Sequence, residues 1–187
     1  MFRLVTLYTP DYKPASSCVP TVRAYAEKQG YAFTEHTEAI YKEMAPAWSK
    51  IPAVSMALIG TENDWVVWVD ADIKITDPSV RLEDIWPKDP KLEIVFSQDK
   101  DGLCSGFFGV RRTYRTLGIF LEALNRHSFT EDAWPWEQKA LKDLFAFYGC
   151  YEDIIGYIPE SVVSNPFSGP QGTFAHHYWG NGMHVPT

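Results

Sequence analysis

Asp70 and Asp72 close the run Trp65-Val66-Val67-Trp68-Val69, which places two carboxylates one residue apart at the end of an uncharged strand. Side chains alternate along extended chain, so both acids are expected on one side, with Ala71 turned toward the packed side. Two like charges that close raise each other's pKa unless a cation lies between them, and hard carboxylate oxygens suit Mn2+ or Mg2+. The same tripeptide can also be an ordinary strand end, passing through an Asx turn at Asp72 into Thr76-Asp77-Pro78. His176-His177-Tyr178-Trp179-Gly180 is the second candidate, because a histidine in a glycine-containing C-terminal loop can fold back and offer a nitrogen ligand. A histidine pair is more often polar surface.

Three further segments carry chemistry with an ordinary alternative beside it. Lys50, in Trp48-Ser49-Lys50-Ile51-Pro52, either reaches a phosphate or is a solvated lysine at a helix end. Ser105-Gly106 at the mouth of Phe107-Phe108-Gly109-Val110 either lets a sugar approach the backbone or marks a bulge. Trp134-Pro135-Trp136-Glu137-Gln138 opens a helix with a stacking face and a carboxylate for a sugar hydroxyl, and Glu in a first helical turn is also common capping chemistry.

These residues need a scaffold that brings them together. A charge-free apolar strand buried on both faces belongs mostly to parallel α/β sheets, where ligands bind at the carboxyl ends of strands. Residues 2–8 read as a first strand. A helix capped by Ser16 or Ser17, with Pro20 near its first turn, ends at Gly30, and residues 31–34 return as a strand. Residues 47–59 form a second helix that feeds the Asp-ended strand. Strands follow at 92–97 and 104–110, and helices at 114–126 and 132–147. From Asn165 onward, glycines and prolines among aromatics and histidines predict an irregular loop that closes over a ligand.

Composition narrows the class. The 187 residues fit one domain spanning 1–187, and 45% apolar residues suffice for a core. A formal net charge of −7, with no basic block, argues against a nucleic-acid groove. The three cysteines, Cys18, Cys104 and Cys150, have no C-x-x-C pairing and read as free, mostly buried thiols. The start is too short for a signal peptide and no apolar run reaches membrane-spanning length, so a soluble, cytoplasmic protein without a membrane span is expected.

Taken together, the pieces resemble the metal-dependent GT-A glycosyltransferases. The likeness is strongest to the galactosyl- and mannosyl-type family of galactomannan, mannan and xyloglucan synthesis, with glycogenin-like enzymes as more distant relatives. It is carried by Leu4 to Thr9, Tyr25-Ala26 with Gly30-Tyr31, Trp48-Ser49-Lys50-Ile51, Asp70-Ala71-Asp72, Ser105-Gly106-Phe107-Phe108, Glu137-Gln138, and His177-Tyr178-Trp179-Gly180 as a C-terminal H-x-x-G. The resemblance implies an α/β fold, a single GT-A domain with a Rossmann-like mixed sheet flanked by helices. It implies a sugar moved from a nucleotide-sugar, a UDP-sugar expected, to a glycan or glycoconjugate acceptor with retention. Asp70, Asp72 and His177 would hold Mn2+ (or Mg2+). Thr6, Tyr8, Thr9, Lys50, Asp70 and Gly180 would contact the nucleotide, and Ser105, Gly106, Glu137 and Gln138 the sugar, with Lys50 and Glu137 as the catalytic residues. Glu137 departs from the Asp that precedes Gln in the glycogenin-like group. The alternatives are a haloacid-dehalogenase-like phosphatase, against which Lys74 stands where that motif wants Thr or Val, and an inactive carbohydrate- or nucleotide-binding module on the same fold.

Overall fold

The computed structural model describes residues 1–60, 64–99, 102–126, 135–149, 151–165, 172–179 and 185. β1 (Phe2–Leu7), α1 (Ala15–Gln29) and β2 (Ala32–His36) form the opening unit, then a 3-10 turn (Pro46–Ser49) runs into α2 (Lys50–Ile59) and β3 (Trp65–Val69). Next come β4 (Ile73–Ile75), the short α3 (Leu82–Ile85), β5 (Ile94–Asp99), β6 (Gly102–Arg111), α4 (Tyr114–Asn125) and α5 (Trp136–Tyr148). A 3-10 turn (Glu152–Ile154), β7 (Ile155–Ile158), β8 (Val163–Ser164) and β9 (Ala175–His177) complete the elements. None of the described helices is long and apolar enough to cross a membrane.

Six strands make one sheet in the order β2-β1-β3-β6-β5-β7. β1 pairs in parallel with β2 and β3, β5 pairs in parallel with β7, and β6 runs antiparallel to both β3 and β5, so the sheet is mixed. β3 is buried on both faces as its composition requires. Val66 and Trp68 join the core with α2, α4 and α5, whereas Trp65, Val67 and Val69 join the opposite core with α1 and the Trp86 segment. Two hydrophobic layers therefore clamp the strand whose end carries Asp70.

The start of α1 differs from expectation for a local reason. Ala15 N donates to Tyr12 O, Ser16 N to Lys13 O and Cys18 N to Pro14 O, so a preceding turn satisfies the first amides and no side-chain cap is used. Pro20 consequently falls inside the helix rather than in its first turn. The far end is as predicted: Gly30 adopts φ 71°, and its amide and that of Tyr31 bond the last carbonyls.

The C-terminal segment is the larger departure. Glycine and proline suggested irregular chain, yet β9 is a strand at the centre of a second sheet, β4-β9-β8. Burial wins over local propensity here. Phe174 is fully buried with its ring 5.2 Å from Tyr25 and 6.0 Å from Phe107, and Thr76 and Asp77 amides donate to its carbonyl. Residues 166–171 and 180–184, which include Gly180 and His184, lie outside the described residues, as do Cys150 and 127–134 with Trp134.

Candidate metal and donor site

Asp70 and Asp72 converge, but not by strand alternation. β3 ends at Val69, and Ile73 N donates to Asp70 O at 3.0 Å, so residues 70–73 form a turn that leads into β4. Ala71 does turn inward, packing with Ala15, Val19 and Tyr8. The small sheet then delivers the third group. Ile73 pairs with His177 across β4 and β9, and Tyr178 N donates to Asp72 O at 3.0 Å, which fixes the end of β9 against the turn.

His177 Nε2 lies 3.3 Å from Asp72 Oδ1 and 3.6 Å from Asp70 Oδ2, and one ligand atom from each of the three residues fits within 4.8 Å of the others. Asp72 Oδ1 and His177 Nε2 are both buried without a hydrogen-bond partner among the described residues. Buried polar atoms rarely stay unpaired, so two such atoms aimed into one space, from an acid and an imidazole, fit a divalent cation of the Mn2+ or Mg2+ kind. Without metal the charges balance differently. Burial pulls the His177 pKa down, but Asp72 and Asp70, with Cys104 behind, outweigh it and hold the imidazole well above its ordinary range. His176 points to the other side of β9 and is half-buried, and burial lowers its pKa.

Lys50 is the buried cation on the opposite flank. As the first residue of α2 it is pushed under the end of β3, where its Nζ lies 2.7 Å from Glu137 Oε1, 2.9 Å from Ser105 O and 3.1 Å from Asp70 Oδ1. Three ammonium protons thus meet three acceptors. Burial opposes the charged amine, but Asp70 and Glu137 overcome it and raise its pKa. Burial likewise opposes the Asp70 carboxylate, yet Lys50, His177 and the Trp68 indole, whose Nε1 donates at 2.6 Å, hold Asp70 at about 2.

A bulge sets the facing of Ser105 and Gly106. The β5–β6 register slips between Phe96 and Ser97, so the alternation that puts Phe108 in the α2–α4 core is reversed below it. Ser105 thereby comes to Glu137, donating its Oγ to Oε1 at 2.8 Å, while Ser105 N donates to Gln138 Oε1 at 2.8 Å. Gly106 falls on the other side, where the His177 ring occupies the room a side chain would take. The bulge expected as the ordinary reading of Ser105-Gly106 is present, and it faces Ser105 toward Glu137 and Gln138. Trp136 enters α5 at φ 47°, a left-handed conformation costly for a bulky residue, and from it Glu137 and Gln138 both reach Ser105. Glu137 Oε2 is buried without a partner among the described residues.

Beside the acids runs a groove of about 600 Å³ lined by Tyr8, Pro10, Tyr12, Lys13, Ala15, Ser16, Val19, Pro20 and Arg23. Tyr12 connects it to the acids, donating its OH to Asp72 Oδ2 at 2.7 Å, and burial followed by Asp72 raises the phenol pKa. Tyr8 OH and Arg23 bind the two oxygens of Glu35 at 2.7 and 2.6 Å. Thr6 is fully buried in the sheet, and Thr9 accepts from Tyr12 N through its carbonyl. Tyr12, Trp68, Arg23 and Glu35 were not singled out from sequence. Tyr12 could have been, because parallel neighbours β1 and β3 end side by side and the loop after β1 must flank Asp72.

The same architecture occurs in known proteins. Residues 8–93, a little under half of the chain, match the sequence model of the galactosyl transferase GMA12/MNN10 family. No curated protein matches the chain in sequence. A glycosyltransferase involved in the glycosylation of the major capsid of PBCV-1 superposes with a TM-score of 0.79 at 15% identity, covering 96% of this chain and 93% of that one. The galactosyltransferase LgtC, solved with donor and acceptor sugar analogs, gives 0.62 at 13% identity over 97% of this chain and 88% of its own. The glycosyltransferase GlyE of Streptococcus pneumoniae TIGR4 gives 0.68 at 12% identity, and this chain covers 98% of itself but 56% of GlyE. The fold is that of the GT-A glycosyltransferases, with Asp70-Ala71-Asp72 at the end of a central strand. The family whose model matches residues 8–93 and the solved structures that share this fold are all glycosyltransferases.

Proposed function

We propose that the chain, folded as one domain over residues 1–187, transfers a sugar from a nucleoside diphosphate sugar, a UDP-sugar, to a carbohydrate or glycoconjugate acceptor. The observation that carries this reading is the meeting of Asp70, Asp72 and His177 with two buried, unpartnered ligand atoms among them. These three residues would hold Mn2+ or Mg2+, which supplies charge neutralisation for the departing diphosphate. The groove of Tyr8, Tyr12, Lys13 and Arg23 gives the nucleotide aromatic faces and positive charge next to that centre.

The remaining roles follow from contacts. Lys50 spends its protons on Asp70, Glu137 and Ser105, so it acts by fixing the Asp70 carboxylate and placing positive charge under it. Glu137 keeps Oε2 for a sugar hydroxyl, and Ser105 and Gln138 frame the same wall. Gly106 serves the sugar pocket indirectly by giving His177 its place. Thr6 and Thr9 support the β1 end from which Tyr8 and Tyr12 project. Asp70 and Glu137 are each tied to Lys50, and Asp72 accepts from Tyr12, so none of these three carboxylates stands apart as a covalent nucleophile, which favours front-face attack with retention.

Mn2+-dependent release of UDP from a UDP-sugar tests the proposal, and NMR of the transferred sugar tests retention. Binding without turnover would indicate an inactive module, and an inverted anomeric centre would rule out the front-face route.

A further inference from the structure

We infer that Cys104 and Gly106 form a seat that holds His177 with Nε2 turned toward Asp70 and Asp72; the inference rests on the reading of His177 as a metal ligand. On β6 the two residues flank Ser105 and share the side opposite to it. Cys104 Sγ lies 3.7 Å from His177 Nδ1. A Cβ built on Gly106 would stand 2.1 Å from His177 Cε1 and 2.7 Å from both ring nitrogens, so the imidazole lies directly against the Gly106 backbone. The pairing of Ile73 with His177 fixes the backbone from the third side.

The chemistry makes this more than packing. Ligation through Nε2 requires a neutral imidazole with its proton on Nδ1, and that N–H ordinarily goes to a carboxylate, carbonyl or water. Here the group placed at Nδ1 is a buried thiol sulfur. Cys104 is thus a positioning residue whose sulfur is placed to accept the Nδ1–H that Nε2 ligation requires, and Gly106 sets the depth at which the ring lies.

The test is a titration of the whole protein with Mn2+ alone, by calorimetry, using Cys104→Ala, Cys104→Ser, Gly106→Ala and His177→Ala, each checked by circular dichroism and thermal melting. Cys104→Ala is expected to weaken Mn2+ by about tenfold, the size typical of losing a histidine's outer partner, while Cys104→Ser restores most of the affinity. Gly106→Ala should weaken it nearly as much as His177→Ala. Nitrogen-15 NMR of the Mg2+-loaded protein gives a second readout: the Nδ1–H form at His177 in the wild type, mixed forms in Cys104→Ala. If Gly106→Ala does not fold, the two Cys104 variants and the spectrum decide. Wild-type affinity in Cys104→Ala, or serine as weak as alanine, would overturn the seat while leaving His177 as ligand. Unchanged affinity in His177→Ala would overturn the metal reading itself.

Discussion

Lys50 Nζ stands 3.1 Å from Asp70 Oδ1 with only 5% of the Lys50 side chain exposed, so α2 reaches the end of β3 through an ion pair whose cation is buried. Glu137 completes the arrangement at 2.7 Å from the same nitrogen, joining α5 to the other two elements. The ammonium therefore supports both the fold and the acid cluster.

Removing it leaves the buried Glu137 carboxylate without its cation and strips Asp70 of its neighbouring positive charge. Lys50→Met is expected to cost about 3–5 kcal/mol of unfolding free energy, because breaking a buried pair strands its partners. Glu137→Gln in the same chain should recover part of that loss. Urea unfolding of the two single variants and the double variant measures both effects, and strict additivity would contradict a shared charge network.

Asp72 contributes to two states. From sequence, its removal would relieve repulsion and leave apo stability unchanged or higher; in the structure it faces His177 at 3.3 Å and accepts from Tyr12. Asp72→Asn is therefore expected to lower the melting temperature of the metal-free protein below neutral pH. It should also weaken Mn2+ by at least the roughly 10–100-fold seen for loss of an outer partner. Calorimetry of Mn2+ binding and a melt at pH 6 check the two parts.

The His177 pKa is raised by folding, so its contribution to metal-free stability is fully present below the ordinary value of 6.5 and is lost as pH climbs through the elevated value. Asp70, held at about 2, has the opposite sign: its contribution is present above 3.8 and disappears as pH falls through 2. Mn2+ must displace the His177 proton, so metal affinity should rise with pH from 6.5 upward. Melting temperatures with and without Mn2+ at pH 6, 7, 8 and 9 should diverge steadily, and the His177→Gln variant should show a constant gap.

The sheet was readable because its signals are local and redundant: the run Trp65–Val69 has no charge and can only be buried on both faces, and Gly30 ends its helix where a left-handed residue is needed. The site was partly readable, since Asp70 and Asp72 differ from everything around them in charge. What could not be read depends on distant partners. β9 exists because Phe174 finds Tyr25 and Phe107, residues far from it in sequence. Ser105 meets Lys50 because of a register slip, and Tyr12 meets Asp72 because β1 and β3 are parallel neighbours.

His177 is held by β4 pairing and by burial of Phe174 and Tyr178 beside it. These contacts favour a preformed ligand at this position over the closure expected from the sequence. Hydrogen exchange should show the amides of Ala175–His177 protected in the metal-free protein, with little change on adding Mn2+ and UDP. Rapid exchange that slows sharply with ligand would restore the closing loop.

Release of UDP from a UDP-sugar by the purified protein, followed with Mn2+ and with chelator, bears on the whole reading at once. Wild type should turn over with Mn2+ and stop with chelator, and His177→Ala and Asp72→Asn should lose nearly all of that activity while remaining folded. Equal turnover in chelator, or full activity in both variants, would contradict a metal centre built from Asp70, Asp72 and His177.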